Sequence, residues 1–519
     1  MSLGTYVSEP LTNFDQPANR QRMQTALARV KAQLGHYYPL VIGQERQKGV
    51  GEMTSINPSN PDQVVGRVAK ADKAHIDQAI SAAWQAFETW KRVPGPARAR
   101  YLFKAAAIMR RQKFELAAFE VFEAGKTWGE ADGDVAEAID FLEYYGRQML
   151  RLAHPLQLTP LADEEDTAFY QPLGVGAIIP PWNFPLAILT GMSSSAIVAG
   201  NAVVLKPASA TLVIAAKFVE IMQEAGLPPG VLNFVPGDGA LIGDHLVTHP
   251  RTRFISFTGS RDVGLRINRL AAEHQPGQRW IKRVVAEMGG KDAIIVDETA
   301  DLTLAAEGIV QSAFGFQGQK CSACSRAIVV DSVYDEVLRR AVELTKALRV
   351  GPADDYGNQM GPVIDKKAFD KIVSYIEWGK AHAQLAFGGE YESDPANQGT
   401  FIHPTIFSDV KPGSKLEQEE VFGPVLAFVR ARDFDDALTI ANGTEYGLTG
   451  SVYSKRRDRI EQSVSEFEVG NLYVNRKCTG AVVGSHPFGG FNMSGTDSKT
   501  GSPDYLHQFM QMKAVAERY

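Results

Sequence analysis

Residues 173–206 read LGVGAIIPPWNFPLAILTGMSSSAIVAGNAVVLK. No charged residue stands between Asp166 and Lys206, a run long enough to span a bilayer. Yet Pro180, Pro181 and Pro185 interrupt it, and Gly174, Gly176, Gly191 and Gly200 are scattered through it. Adjacent prolines withhold backbone donors and break a helix, leaving groups that hydrocarbon could not satisfy. The stretch therefore reads as strand, loop, buried helix and second strand, and no membrane span is expected.

The same alternation continues outward. Short apolar runs at 173–179, 202–205, 231–235 and 253–257 are each followed by a helical segment. Alternation of this kind defines an α/β fold with a mainly parallel, doubly wound sheet. A second series follows: 293–296, a helix over about 301–314, then 327–330 and a helix from Tyr334. Two series predict two open-sheet domains meeting near Glu287, with Gly289-Gly290 suiting the crossing. Before them, 1–16 is irregular, and 17–35 is an amphipathic helix with Met23, Leu27, Val30 and Leu34 on one face. Residues 38–67 read as short strands and 73–152 as mostly helix, punctuated by Pro94-Gly95-Pro96 and Gly125. The acidic, extended sequence at 155–172 predicts a projecting hairpin.

Composition narrows the class. The 519 residues suffice for two or three domains; 44% are hydrophobic and 22% charged, ordinary for a globular protein. The net charge of −6 with no basic block argues against nucleic acid. Three cysteines, Cys321, Cys324 and Cys478, are too few for a disulfide framework and suit a reducing compartment such as the cytoplasm. No basic segment followed by an apolar run opens the chain, so no secretory signal is expected. The ten histidines form no close ligand pairs, and no metal site is expected.

Chemistry concentrates at 314–326, FGFQGQKCSACSR. A thiol attacks carbonyl carbon as thiolate, and Lys320 and Arg326 beside Cys321 are the expected reason for its ionisation. Gly315 and Gly318 predict a backbone bent to present it. Glu287, before Met288-Gly289-Gly290, supplies a separate acid/base group. For a nucleotide, two phosphate-site candidates compete. Gly237-Asp238-Gly239 follows a strand, although Gly243 falls one place late for the usual fingerprint. Thr258-Gly259-Ser260 opens a helix whose N-terminus can hold a pyrophosphate. Lys206-Pro207 ends another strand, where open sheets bind ligands. Each has a plainer alternative: a capped turn, a surface lysine, a turn-former for Asn183. A Cys321-x-x-Cys324 redox dithiol, a thiol hydrolase or acyltransferase, and a catalytically silent nucleotide-binding protein all remain open on residues alone.

Six motifs taken together narrow the field. Pro181-Trp182-Asn183-Phe184-Pro185, Phe257-Thr258-Gly259-Ser260, Glu287-Met288-Gly289-Gly290, Gly318-Gln319-Lys320-Cys321, Glu420-Val421-Phe422-Gly423-Pro424 and Pro487-Phe488-Gly489-Gly490 occur in the order found in aldehyde dehydrogenases. The chain resembles that superfamily over roughly residues 40–519. Within it, FGFQGQKCSACS at 314–325, GGKDAIIV at 289–296 and TGAVVG at 479–484 are most similar to the bacterial, single-function branch acting on glutamate γ-semialdehyde. Another small semialdehyde, such as succinate semialdehyde, is the alternative substrate. No fused proline dehydrogenase domain is expected.

The resemblance implies an aldehyde-dehydrogenase-like fold with two doubly wound domains and a small β oligomerisation element. It places a dinucleotide-binding domain at 41–154 and 173–286, behind an extension at 1–40. A catalytic domain follows at 287–480, with a substrate-anchor region at 481–497 and the oligomerisation element at 155–172 with 498–519. Cys321 is implied as nucleophile, Glu287 as general base for the hydrolytic water, and Asn183 with the Cys321 amide as donors to the oxyanion. NAD is the implied cofactor, held by Ile179, Trp182, Lys206, Gly239, Ser260, Glu420 and Phe422. Where many NAD-preferring relatives carry Glu three residues after the motif lysine, this chain has Ser209, so NADP is expected to be accepted too. The substrate is implied to meet Glu137, Phe184, Ser322, Gly480, Ala481 and Phe488, with Glu137 expected near Lys320 or the substrate ammonium. A homo-oligomer is implied: at least a dimer, extending to a hexamer built as a trimer of dimers.

Overall fold

The computed structural model describes residues 4–392 and 399–519. Its frame is two seven-stranded sheets. In the first, the order runs Arg283–Glu287, Phe254–Thr258, Val175–Ile179, Ala202–Leu205, Leu232–Phe234, Leu40–Ile42, Glu45–Gln47. The first five are mutually parallel, and the last two join antiparallel at the edge. Parallel strands are covered on both faces and so read as unbroken apolar runs; Val203, Val204 and Leu205 are all fully buried. Each such side chain contributes about 1.5–3 kcal/mol by leaving water.

Helices fill the two faces. The N-terminal half contributes α1 (Pro17–Lys31), α2 (Lys73–Trp90), α3 (Gly95–Arg111), α4 (Lys113–Ala124) and α5 (Trp128–Leu152). Pro94 and Gly95 start α3, and Gly125 caps α4 at φ +66°, a conformation that favours glycine. Crossovers of the first sheet are α6 (Ala187–Val198), α7 (Leu212–Glu224), α8 (Asp244–Thr248) and α9 (Arg261–Ala272). The apolar stretch 173–206 is thus strand, loop, helix and strand, and no described helix is long and apolar enough to cross a membrane. The N-terminal segment joins the first domain's core through Phe14, Met23, Leu27 and Val30. Leu34 lies beyond the end of α1 and packs at the edge of that core.

The second sheet is ordered Gln384–Phe387, Thr405–Ser408, Val425–Ala431, Arg326–Val330, Ala293–Val296, Thr449–Tyr453, Asn471–Val474. Only the first of these is antiparallel to its neighbour. Its first crossovers are α10 (Leu302–Phe314) and α11 (Asp331–Lys346). The chain leaves the first sheet at Glu287 and enters the second at Ala293, so residues 288–292 bridge them.

The region 155–172 departs from the expected hairpin. It forms one strand, Glu164–Pro172, whose antiparallel partner is the C-terminal strand Met510–Arg518. Of a local hairpin only the Leu156–Ala168 bridge remains; Pro160 lacks the N–H that a longer ladder needs. Residues 498–509 do not belong with this ribbon either. Leu506 and Phe509 are buried in the first domain's core, and Ser498 reaches Glu287.

Candidate functional site

Cys321 sits on a loop built from unusual backbone. Phe316, Gln317 and Gly318 are successively left-handed, at φ 49°, 55° and 67°. For the two non-glycine residues this costs about 1–2 kcal/mol each, which buried anchors repay: Gln317 Nε2 donates to the Pro362 carbonyl at 2.7 Å, and Gln319 Oε1 accepts from the Ile364 amide at 2.9 Å. Gly318 is obligatory, because a Cβ there would lie 2.3 Å from the Gly423 carbonyl oxygen. Gly315, at φ −55°, plays no such part.

The expected source of thiol acidity fails. Lys320 pairs with Glu130 at 2.8 Å, in the first turn of α5. Arg326 is fully engaged in the interior, with Glu417 at 2.6 Å and the carbonyls of Lys291, Ile440 and Ala441. Burial and the carboxylates of Asp292, Glu420 and Glu287 instead hold the Cys321 thiol above its ordinary range. Nor does Glu137 meet Lys320 in an ion pair; Glu130, two turns earlier on the same helix, takes that place. Burial, with Asp134 beside it, raises Glu137 to about 8. The Cys321-x-x-Cys324 dithiol is not formed: Cys324 turns into the core, its Sγ donating to the Arg326 carbonyl, and its thiol neighbour is Cys478.

Two chain segments converge on the Cys321 loop, around Asn183 and over 287–290. Asn183, buried in the loop after Val175–Ile179, donates one amide hydrogen from Nδ2 to the Gln319 carbonyl at 3.1 Å. Its second amide hydrogen remains for another acceptor. Gly290 packs so tightly that a Cβ would lie 2.6 Å from the Cys321 carbonyl oxygen. Glu287 ends the edge strand of the first sheet; burial raises it to about 7 against hydrogen bonds from Ser498 and the Gly490 amide.

The residues expected to hold a dinucleotide gather at the C-terminal ends of the first sheet's strands, where open α/β sheets bind such ligands. Ile179 ends one strand, and Lys206 follows the next with its amine donating to the Pro207 carbonyl at 3.1 Å. Burial lowers that amine to about 8. Gly239 opens a wide helical turn opposite Lys206, where a Cβ would approach the Lys206 Cε to 3.9 Å. Ser260 stands exposed at the N-cap of α9 without a side-chain capping bond, so its hydroxyl is unspent. Ser209 lies in the exposed turn after Lys206. From the second domain, Glu420 Oε1 accepts from the Gly290 amide at 3.1 Å, and the Phe422 ring meets Trp182 edge-on at 5.5 Å. The residues present fit a dinucleotide.

The expected substrate residues complete the set. Phe184 lies 5.9 Å from the Lys320 amine, and Ser322 follows Cys321 directly. Phe488 is bridged to Thr500. Gly480, at φ +78°, and Ala481 have amides without a partner among the described residues. Sequence reasoning missed a buried ionic cluster beneath them. Lys126 pairs with Asp134, approaches Glu120 at 3.4 Å, and lies 4.4 Å from the Phe184 ring centroid and 4.9 Å from that of Phe316, all three charged residues being fully buried or nearly so. It also missed Ser498 and Asp292; the latter is buried with Oδ2 unpaired, and burial raises it well above the carboxylate range. Asp292 lies within GGKDAIIV, and its polarity in an apolar run was the available signal.

Paired parallel sheets, a thiol on a strained loop and dinucleotide-suited residues at the strand ends define an aldehyde dehydrogenase, and the chain belongs to that family, which it matches over residues 45–515. Its similarity is more particular than the family. The 1-pyrroline-5-carboxylate dehydrogenase of Geobacillus thermodenitrificans is 59% identical over 514 residues, covering 99% of each chain. A Thermus 1-pyrroline-5-carboxylate dehydrogenase solved with bound NAD superposes with a TM-score of 0.98 at 52% identity, over 100% of both chains. Proline utilization A from Bdellovibrio bacteriovorus gives a TM-score of 0.97 at 48% identity, covering 100% of this chain and 54% of that one.

Proposed function

We propose that this chain oxidises L-glutamate γ-semialdehyde, the hydrolysed form of 1-pyrroline-5-carboxylate, to L-glutamate with NAD, a step of proline catabolism. The observation that carries this is convergence: the Cys321 loop takes the Asn183 amide on one side and lies within the field of Glu287 and Glu420 on the other. When bound, NAD supplies the hydride acceptor. Lys206, Gly239 and Ser260 would hold its adenosine and phosphate part, and Glu420, Trp182 and Phe422 its nicotinamide ribose and ring.

Cys321 Sγ bonds to the aldehyde carbon, and the carbonyl oxygen takes the charge. The free Asn183 amide hydrogen and the Cys321 N–H donate to that oxygen, which is worth most where water is excluded. Because the thiol is held neutral, its proton leaves to water with the attack, and Glu287 is kept for the hydrolytic step. Loss of hydride leaves a Cys321 thioester. Glu287 then takes a proton from water as its oxygen attacks the acyl carbon, releasing glutamate and the thiol. Ser322 and the open amides of Gly480 and Ala481 suit the substrate's α-carboxylate. Phe184 and Phe488 flank its methylenes, and its ammonium beside Glu137 would draw off the proton that burial retains there.

NAD is the cofactor, and because Ser209 offers no carboxylate to repel a 2′-phosphate, NADP is accepted beside it. The ribbon of Glu164–Pro172 and Met510–Arg518 exposes Met512 and Val515 and leaves two strand edges unpaired, which suits docking on a second copy in a dimer and larger assemblies of dimers. The test is reduction of NAD with glutamate γ-semialdehyde beside succinate semialdehyde, with Cys321→Ala as control. Preference for the former, abolished by Cys321→Ala, is expected; equal or reversed preference would refute the substrate.

A further inference from the structure

Glu287 is gripped by a segment that no catalytic motif of the sequence includes. Residues 494–499 lie along the end of its strand. The Met288 amide donates to the Ser494 carbonyl at 2.8 Å, and the Thr496 amide donates to the Ala286 carbonyl at 2.9 Å. The Thr496 hydroxyl accepts from the Ala286 amide at 3.0 Å. Backbone is therefore fixed on both sides of Glu287. The side chain is fixed as well: Ser498 Oγ donates to Oε1 at 2.7 Å, and the Gly490 amide donates to Oε2 at 3.3 Å.

Ser498 is itself held from both sides. Asp497 and Lys499 are left-handed, each at φ 50°, so the backbone is turned at both neighbours. The Lys499 amine donates to the carbonyls of Gly470 and Gly489, both at 2.7 Å, and pairs with Asp497 at 3.1 Å. Ser498 and Glu287 are 3% and 8% exposed, so no bulk water competes for their hydrogen bond. A residue twisted into place at both ends and presenting its only polar atom to one carboxylate is more than a packing contact.

We propose that Ser498 is a positioning residue for Glu287, its hydroxyl holding the carboxyl group in one orientation and favouring its ionised form. This rests on the role of Glu287 as general base given above. The charged and titratable groups facing Glu287 are Lys499 and Asp497 from the same segment, Cys321 from its loop and Tyr505 beyond it. Of these only Lys499 is cationic, and its amine is spent on carbonyls. The Ser498 hydroxyl and the Gly490 amide are then the principal groups opposing the desolvation that lifts Glu287 to about 7.

The experiment follows steady-state turnover and the pre-steady-state burst of reduced NAD across pH, in full-length wild type, Ser498→Ala, Ser498→Thr and Glu287→Gln. Losing one hydrogen bond to a carboxylate moves its pKa up by about one unit. The acid limb of turnover in Ser498→Ala should shift upward by that amount, making it about fivefold slower at pH 7 and nearly normal at pH 9. The burst and the KM for aldehyde should stay unchanged, and Ser498→Thr, which keeps the hydroxyl, should restore the limb. If Ser498→Ala does not accumulate as folded protein, Ser498→Cys, a weaker donor of similar size, must show a smaller shift in the same direction. A limb coincident with wild type, while Glu287→Gln gives a burst without turnover, would overturn the role of Ser498. Full turnover in Glu287→Gln would instead overturn the role of Glu287.

Discussion

Replacing Gly289 by alanine isolates one link between the domain crossing and the cofactor site. A Cβ at Gly289 would stand 2.4 Å from both carboxylate oxygens of Glu420. Ordinary contact needs about 3.5 Å, so the carboxyl group must recede by about 1 Å. Gly289 has no left-handed backbone, and the obstructed atoms are the end of a side chain that can rotate, so folding should survive. What is lost is the 3.1 Å bond from the Gly290 amide to Glu420 Oε1, and with it the position in which the proposed function has that carboxylate meet the cofactor. A hydrogen bond to a charged group is worth about 1.5–3 kcal/mol, which corresponds to about ten- to a hundredfold weaker NAD binding. The assay is the NAD dissociation constant by calorimetry, with the KM for NAD and kcat alongside. If Glu420 transmits the effect, Gly289→Ala combined with Glu420→Ala should be no worse than Glu420→Ala alone. NAD binding within about twofold of wild type, or full additivity in the double variant, would refute the link.

Three further outcomes follow from other parts of the site. Gly318→Ala must place a Cβ 2.3 Å from the Gly423 carbonyl oxygen and 2.9 Å from that of Ala313 at φ +67°; with backbone on both sides, a loss of about 2–4 kcal/mol is expected in denaturant unfolding, and an unchanged midpoint would contradict it. Lys126→Met removes the cation from between Asp134 and Glu120. Leaving those carboxylates buried should cost about 3–5 kcal/mol, and a stability equal to wild type would show that they are neutral in pair. In the cofactor-free protein, Cys321 should react slowly with iodoacetamide at neutral pH, its rate still rising with pH beyond the usual thiol range. That sign follows from the upward shift, since a raised pKa leaves less thiolate at any given pH; a plateau reached below pH 8 would refute it.

Much of the fold was legible because parallel strands announce themselves. Buried on both faces, Ala202–Leu205 and Ala293–Val296 can only be short apolar runs, and their helices follow by periodicity. The edge strand Arg283–Glu287 escaped notice because its first two residues are only half-buried and carry no such run. The C-terminal ribbon was legible only through the resemblance, which grouped 155–172 with 498–519. Met510–Arg518 pairs with Glu164–Pro172 across most of the chain, and nothing local in either strand specifies a partner so distant in sequence. Ser498 was likewise invisible: a serine in an irregular segment has no pattern until the loop lays it against Glu287.

The charges around Cys321 show where adjacency in sequence misleads. Lys320 and Arg326 flank the thiol along the chain, but three left-handed residues turn the loop before it and a strand begins after it. Lys320 is thereby directed to Glu130, and Arg326, the first residue of its strand, is carried into the interior to Glu417. The groups that do face Cys321 come from elsewhere in the chain, and Asp292, Glu420 and Glu287 are all acids. A nucleophile so placed is disfavoured as thiolate, first because burial strips its charge of water and then because acids surround it. Its reactivity must instead be drawn out during the reaction, as its proton leaves to water and the Asn183 amide receives the charge that develops on oxygen. The thioester so formed must still be hydrolysed, and holding the base for that water matters as much as the thiol itself, which is why the grip on Glu287 at Ser498 and Gly490 belongs to the active site rather than to the fold around it.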